Sequence, residues 1–264
     1  MLLRYCLLCL CFVWSWQLRS AETSALRIIT VEEPPASFAG PAGIPDGFVV
    51  DIVKALQRQL NDQTPLELMP EGRAILTAQQ EDNVLLFSFS RTAEREHQFH
   101  WVLPVLQKRW QVYLPTHSQL EIHSLADLRK LSAVGVVRGD VRESYLIQLG
   151  FTNLVAVTSH QQNLQMLNSN RVQAIVSDSL ELAYVLRQQA DRQTAPKLAL
   201  TLRSSNVYLI MPKNADASLV ARWQQAAKAL QQHGELEQIA VQWQQRIQQE
   251  MRINVQRDGH LLLF

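Results

Sequence analysis

The sequence predicts an α/β fold built as two lobes, and three observations carry that prediction. Short apolar runs alternate with segments of helical periodicity between residues 26 and 87, the pattern of a parallel sheet covered on both faces. The same alternation restarts near His117. Two similar β-favouring segments, Gln111-Val-Tyr-Leu-Pro115 and Asn206-Val-Tyr-Leu-Ile-Met-Pro212, bracket that second run. They read either as a two-stranded crossing between lobes or as ordinary edge strands.

Residues 1–21 read as a secretory leader, with Arg4 as the positive start, an apolar stretch over 7–16 and Ser20-Ala21 as a small-residue cleavage site. The stretch is short for a membrane span, and Gln17 and Arg19 close it. Cys6, Cys9 and Cys11 all lie inside it, so the remaining chain has no thiol for disulfides or thiolate metal sites. The full chain has 25 Lys and Arg against 24 Asp and Glu; losing Arg4 and Arg19 leaves 23 against 24, a net charge of −1. With no long basic block, a nucleic-acid or membrane-surface role has little support, and no nucleic-acid partner is expected.

After the leader, residues 26–31 (LRIITV) form the first strand, and the Pro- and Gly-rich stretch 33–47 is a loop. Ile52, Val53, Leu56 and Leu60 recur at helical spacing over 51–60. A short strand at 66–69, a helix over 72–80 and a strand at 84–87 follow. In the second run, Ser124-Leu-Ala-Asp127 opens a helix, 133–137 is a strand, and 141–149 is a helix stopped by Gly150. A strand at 154–158 leads to a capping box of Ser159 and Gln162. The strand at 174–177 then precedes a helix reaching about residue 189. Near the end, Val220, Trp223, Ala227 and Leu230, then Leu236, Ile239, Ala240, Trp243 and Ile247, mark two amphipathic helices whose tryptophans belong to a core. Residues 252–264 carry no interpretable pattern.

Chemistry concentrates after the 84–87 strand, in Ser88-x-Ser90-x-Thr92-x-x-Arg95. Open α/β sheets bind small ligands beyond the carboxyl ends of their strands. Hydroxyls and one guanidinium there suit a carboxylate, whose two oxygens match the planar fork of Arg. The same stretch also fits a solvated turn, since Arg91, Glu94, Arg95 and Glu96 form a charge run. Asp178, which ends the 174–177 strand, fits a helix N-cap equally well. Glu32 and Glu33, near Phe38, read as surface acids in preference to contacts for a cationic ligand. Arg73 either faces a cleft or makes a salt bridge at a helix start. Seven scattered histidines form no ligand pair on one element, so no metal or other cofactor is expected.

Taken together, several marks match a family by their order and spacing. They are Pro34-Pro35 with Phe38, Gly47-Phe-Val-Val-Asp51, the Ser88 to Arg95 motif, Ser124-Leu-Ala-Asp-Leu128, Val134-Gly-Val-Val-x-Gly139 and Arg171-Val-Gln-Ala-Ile-Val-Ser-Asp178. On these the chain resembles the bacterial extracellular solute-binding proteins of family 3, the amino-acid-type periplasmic binding proteins. The resemblance implies a periplasmic-binding-protein-like type II fold, two α/β lobes joined by a two-strand hinge. Lobe 1 would comprise residues 22–112 and 208–250, lobe 2 residues 113–207, and 251–264 a tail.

It also implies roles. Arg95 would hold the ligand's α-carboxylate, with Ser88 and Ser90 placing carboxylate and ammonium. Phe38 would cover the ligand, and Asp178 would accept the α-ammonium from the second lobe. The chain departs from the family after Gly139, where Asp140 and Val141 replace two hydroxyl residues, and at Gln173, which replaces an acid. Asp140 adds negative charge to the cleft, so a modified amino acid, a small peptide or a cationic metabolite fits as well as a plain amino acid. The resemblance implies a periplasmic, monomeric, non-enzymatic receptor delivering a small-molecule ligand to an ABC-type permease. Two alternatives stand beside it: a ligand-sensing partner of a membrane receptor, and a dehydratase-like enzyme using Glu33 or Asp140 as acid or base.

Overall fold

Strand β1 (Arg27–Thr30) leads into a loop holding a small hairpin, β2 (Phe38–Ala39) with β3 (Pro45–Asp46). The computed structural model describes residues 25–188 and 195–264, so the leader expected at 1–21 lies outside the described residues. Helix α1 (Phe48–Leu60) starts directly after Gly47. A side chain at Gly47 would meet the Ala36 carbonyl oxygen at 2.4 Å, and its φ of +137° suits glycine alone. Ile52, Val53 and Leu56 bury the inner face of α1, as their spacing predicts. Strand β4 (Leu66–Leu68), helix α2 (Glu71–Gln80) and strand β5 (Val84–Ser90) complete the first run. Both β4 and β5 lie parallel to β1.

The next strand, β6 (Phe99–Leu114), is 16 residues long. It enters a second run of α3 (Leu125–Lys130), β7 (Val134–Val137), α4 (Val141–Gln148), β8 (Leu154–Val157), α5 (His160–Asn168), β9 (Ala174–Asp178) and α6 (Ser179–Gln188). Here β7 is flanked in parallel by β8 and β9. The expected caps form: Ser124 Oγ accepts from the Asp127 N–H, and Ser159 Oγ accepts from the Gln162 N–H. Gln162 Oε1 in turn accepts from the Thr158 N–H at 3.0 Å.

Strand β10 (Lys197–Pro212), also 16 residues, returns antiparallel to β6, from Lys197 opposite Leu114 to Pro212 opposite Phe99. Around it the sheet runs β4-β1-β5-β10-β6-β9-β7-β8. At one end β10 pairs with β5, and at the other β6 pairs with β9. These two strands therefore belong to both lobes, the crossing expected of the bracketing segments. The two similar segments do not face each other: Gln111 lies opposite Thr201, and Asn206 opposite Gln107.

Helices α7 (Ala217–Gln232) and α8 (Glu235–Arg246) return to the first lobe and pack with α1. Trp223 and Trp243 are buried in that core, and the Trp243 indole donates to Asp51 Oδ2 at 2.8 Å. The segment after 250, expected to be a bare tail, instead forms strands β11 (Gln256–Asp258) and β12 (Leu261–Leu263). Strand β12 lies parallel to β6, with Leu262 opposite Leu106, and Leu262 and Phe264 are buried in the first-lobe core. Lobe 1 thus extends past residue 250, because these apolar side chains find a partner only in the folded sheet. No helix among the described residues is long and apolar enough to cross a membrane.

Candidate functional site

A cavity of about 480 Å³ lies between the lobes, beyond the carboxyl ends of β1, β5, β7 and β9. Five of the residues singled out from sequence line it: Ser88, Ser90, Arg95, Asp140 and Asp178. Ser88 sits at φ +67°, a left-handed conformation that is costly for a residue other than glycine and recurs at functional sites. Its hydroxyl lies 3.5 Å from that of Ser37, which donates to the Val31 carbonyl.

Arg95 extends from the turn after β5. Its guanidinium stacks on the Phe89 ring at 4.0 Å and donates to the Ser90 carbonyl at 3.3 Å. Among the described residues it forms no ion pair, and burial pulls its pKa below the usual guanidinium range against the pull of Glu71 and Asp140. An aromatic floor and a carbonyl fix its orientation while leaving it without a direct carboxylate contact. On its far side a second, smaller cavity of about 250 Å³ is lined by Tyr145 and Arg203, sharing Trp110 and Val141 with the first.

Asp178 is 1 % exposed and fully engaged. Its Oδ1 accepts the Glu181 N–H at 2.8 Å, so it does open α6. Its Oδ2 takes the Arg142 guanidinium at 2.7 Å and lies 3.6 Å from the Lys108 ammonium. Burial opposes its charge, yet Lys108 and Arg142 hold its pKa at about 2. Arg142, itself buried, also pairs with Asp140 and with Glu181 at 2.8 Å. Asp140 caps α4 through the Arg142 N–H at 2.7 Å. Lys108 pairs in addition with Glu33, joining the first-lobe loop, the hinge strand and the second-lobe acids.

Sequence reading passed over Lys108, Arg142, Glu181 and His160. Lys108 lies between Gln107 and Arg109, a polar stretch that looks solvent-facing. The others sit in first helical turns, where polar residues are routine. One signal was present: charged residues cluster just past the strand ends, at Asp140-x-Arg142 and Asp178-x-x-Glu181. Asp140, His160 and Glu181 bring ligand-type atoms within 4.8 Å of one another. The Arg142 guanidinium already supplies positive charge between the two carboxylates of that group.

Phe38 and Arg73 do not line the cavity. Phe38 pairs with Asp46 in its hairpin and packs against the first-lobe core. On α2 the cavity is lined by Glu71, Gly72 and Ile75, and Arg73, two residues past Glu71, projects away from it into solvent. Glu32 and Glu33, read as surface acids, both line the cavity.

Two lobes on a continuous sheet, a two-strand crossing and a charged cleft between them define a two-lobed solute-binding protein. Over residues 26–246 the chain matches the bacterial extracellular solute-binding proteins, family 3, and belongs to that family. Solved structures share the type II fold at low identity. A histidine kinase sensor domain with similarity to periplasmic binding proteins is 20% identical, with a TM-score of 0.72 over 83% of this chain and 95% of that one. The GluR0 ligand-binding core from Nostoc punctiforme, in complex with L-glutamate, is also 20% identical, with a TM-score of 0.67 over 83% and 99%. An ancestral arginine-binding protein bound to arginine is 22% identical, with a TM-score of 0.67 over 84% and 99%. No curated protein matches the sequence.

Proposed function

We propose that this protein is a periplasmic receptor, exported by a cleaved leader, that captures a small amino-acid-like solute and presents it to an ABC-type permease. The observation that carries the reading is Arg95, a guanidinium oriented by Phe89 and Ser90 in the interlobe cavity and forming no ion pair among the described residues. A ligand carboxylate supplies the missing charge, and Ser88 and Ser90 add hydrogen bonds beside it. Lobe closure about β6 and β10 removes water from that pair, which strengthens it. The arginine and glutamate bound by structurally similar proteins support ligands of this size.

Calorimetric titration of L-arginine, L-lysine, L-glutamine and L-glutamate into the purified protein tests the proposal. Arg95→Ala is expected to weaken binding about 10- to 100-fold, the worth of one charge-assisted contact, with the unfolding temperature of the free protein kept. Unchanged affinity in that variant overturns the proposed anchor, and no heat with any of the four overturns the ligand class. A sensory reading has one specific support, the similarity to a histidine kinase sensor domain. Normal solute uptake with lost signalling in a deletion strain selects it over transport.

A further inference from the structure

The family resemblance places a zwitterion's two charges on facing lobes, its ammonium against Asp178. The geometry around Asp178 leaves no room for that role. Both its oxygens are taken, by the Glu181 N–H on one side and by Arg142 and Lys108 on the other, and 1 % of the residue is exposed. Arg142 does for the second-lobe acids what a bound cation would do.

One carboxylate in the cleft remains unengaged on the first lobe. Glu71, the first residue of α2, lines the cavity that Arg95 also lines and makes no hydrogen bond or ion pair among the described residues. Ile75, one turn further along the same helix face, lines it too, so the Glu71 side of α2 is the side turned to the cleft. Glu71 as a whole is exposed, but desolvation of its carboxyl, with the nearby charges of Asp140 and Glu181, raises its pKa, and Arg95 and Arg142 offset this only in part, neither forming an ion pair with it. Burial likewise lowers the pKa of Arg95, with Glu71 and Asp140 opposing it from a distance. The cavity as a whole is lined by six carboxylates against four guanidinium and ammonium groups, so it favours a ligand with net positive charge.

We propose that Glu71, rather than Asp178, receives the ligand's α-ammonium, so that lobe 1 alone holds the α-carboxylate and the α-ammonium of a basic amino acid. This rests on the amino-acid reading of the cleft given above. The competing role for Glu71 is purely local: an acid in the first turn of α2 stabilises the helix dipole. That role affects folding and leaves ligand preference untouched.

A ligand-by-variant cycle separates the two. L-arginine and L-lysine are titrated into wild type and Glu71→Gln beside their counterparts without the α-amino group, 5-guanidinopentanoate and 6-aminohexanoate. Wild type should prefer each amino acid over its counterpart by about 10- to 100-fold, the worth of a charged hydrogen bond. In Glu71→Gln that preference should shrink to about twofold or less, through weaker binding of the amino acids alone. A preference kept in full by Glu71→Gln overturns the assignment while leaving the receptor reading intact. Wild type binding neither amino acid overturns both.

Discussion

Replacing Arg142 by methionine keeps the unbranched apolar stem of the side chain and removes the charge on which three acids of the cleft depend. In the folded protein its guanidinium contacts Asp140, Asp178 at 2.7 Å and Glu181 at 2.8 Å. Removing one member of a buried ion cluster costs about 3–5 kcal/mol, because the partners stay buried without compensation. A second route gives a consistent figure. Asp178 is held at about 2 against an ordinary 3.8, which corresponds to about 2–3 kcal/mol, shared between Lys108 and Arg142. Losses at Asp140 and Glu181 add to the Arg142 share. Thermal unfolding followed by circular dichroism at pH 7 should therefore show a drop on the order of 10 °C.

The sign of the pH dependence sharpens this prediction. In wild type the depressed Asp178 pKa adds stability above about pH 4, lost as pH falls toward 2. In the variant the acids lose their cation and their pKa values rise above the unfolded values. The folded variant then binds more protons than its unfolded chain, so its deficit is largest at neutral pH and shrinks on acidification. A variant within 1 kcal/mol of wild type at pH 7, on the order of the scatter for surface changes, or a deficit that grows at pH 4.5, refutes the account of the cluster.

Two further substitutions probe the frame that holds the site. Leu262→Ala should cost about 2–5 kcal/mol in denaturant unfolding, since Leu262 is fully buried between β12 and the first-lobe core; a loss below 1 kcal/mol would mean that the 256–264 hairpin is not part of that core. Asp216→Ala should cost about 1 kcal/mol, because Asp216 Oδ1 accepts from the N–H groups of Ser218 at 2.9 Å and Leu219 at 3.0 Å at the start of α7, and an unchanged midpoint would remove that cap from the account.

The strands and helices of both lobes were legible because their burial follows simple periods: Ile52, Val53 and Leu56 on α1, or the run Val84–Phe87 inside β5. The strand-end residues of the cleft were legible for a related reason, since an apolar run ending in Ser88 and Ser90 or in Asp178 marks where a buried strand meets the ligand crevice. What sequence could not supply is which charge meets which. Asp178 reads equally as cap or cleft acid, and the structure makes it a cap whose second oxygen is claimed by Arg142, 36 residues away. Lys108 is hidden by its own strand, where polar neighbours at Gln107 and Arg109 mask a side chain that is 4 % exposed. The final hairpin escaped for want of length: three-residue strands carry too little alternation to register, and their partner at Leu106 is far upstream.

That hairpin has a mechanical consequence. The Phe264 N–H donates to the Gln107 carbonyl at 2.9 Å, and Arg109 Nε donates back to the Phe264 carbonyl at 3.1 Å. The closing residues thus splint β6 on the lobe 1 side up to Arg109. One position later, Trp110 already pairs with Asp178 of lobe 2. On β6 the change from lobe 1 to lobe 2 partners therefore falls in the step between those two residues, and Lys108, whose ammonium pairs with acids of both lobes, lies immediately before it.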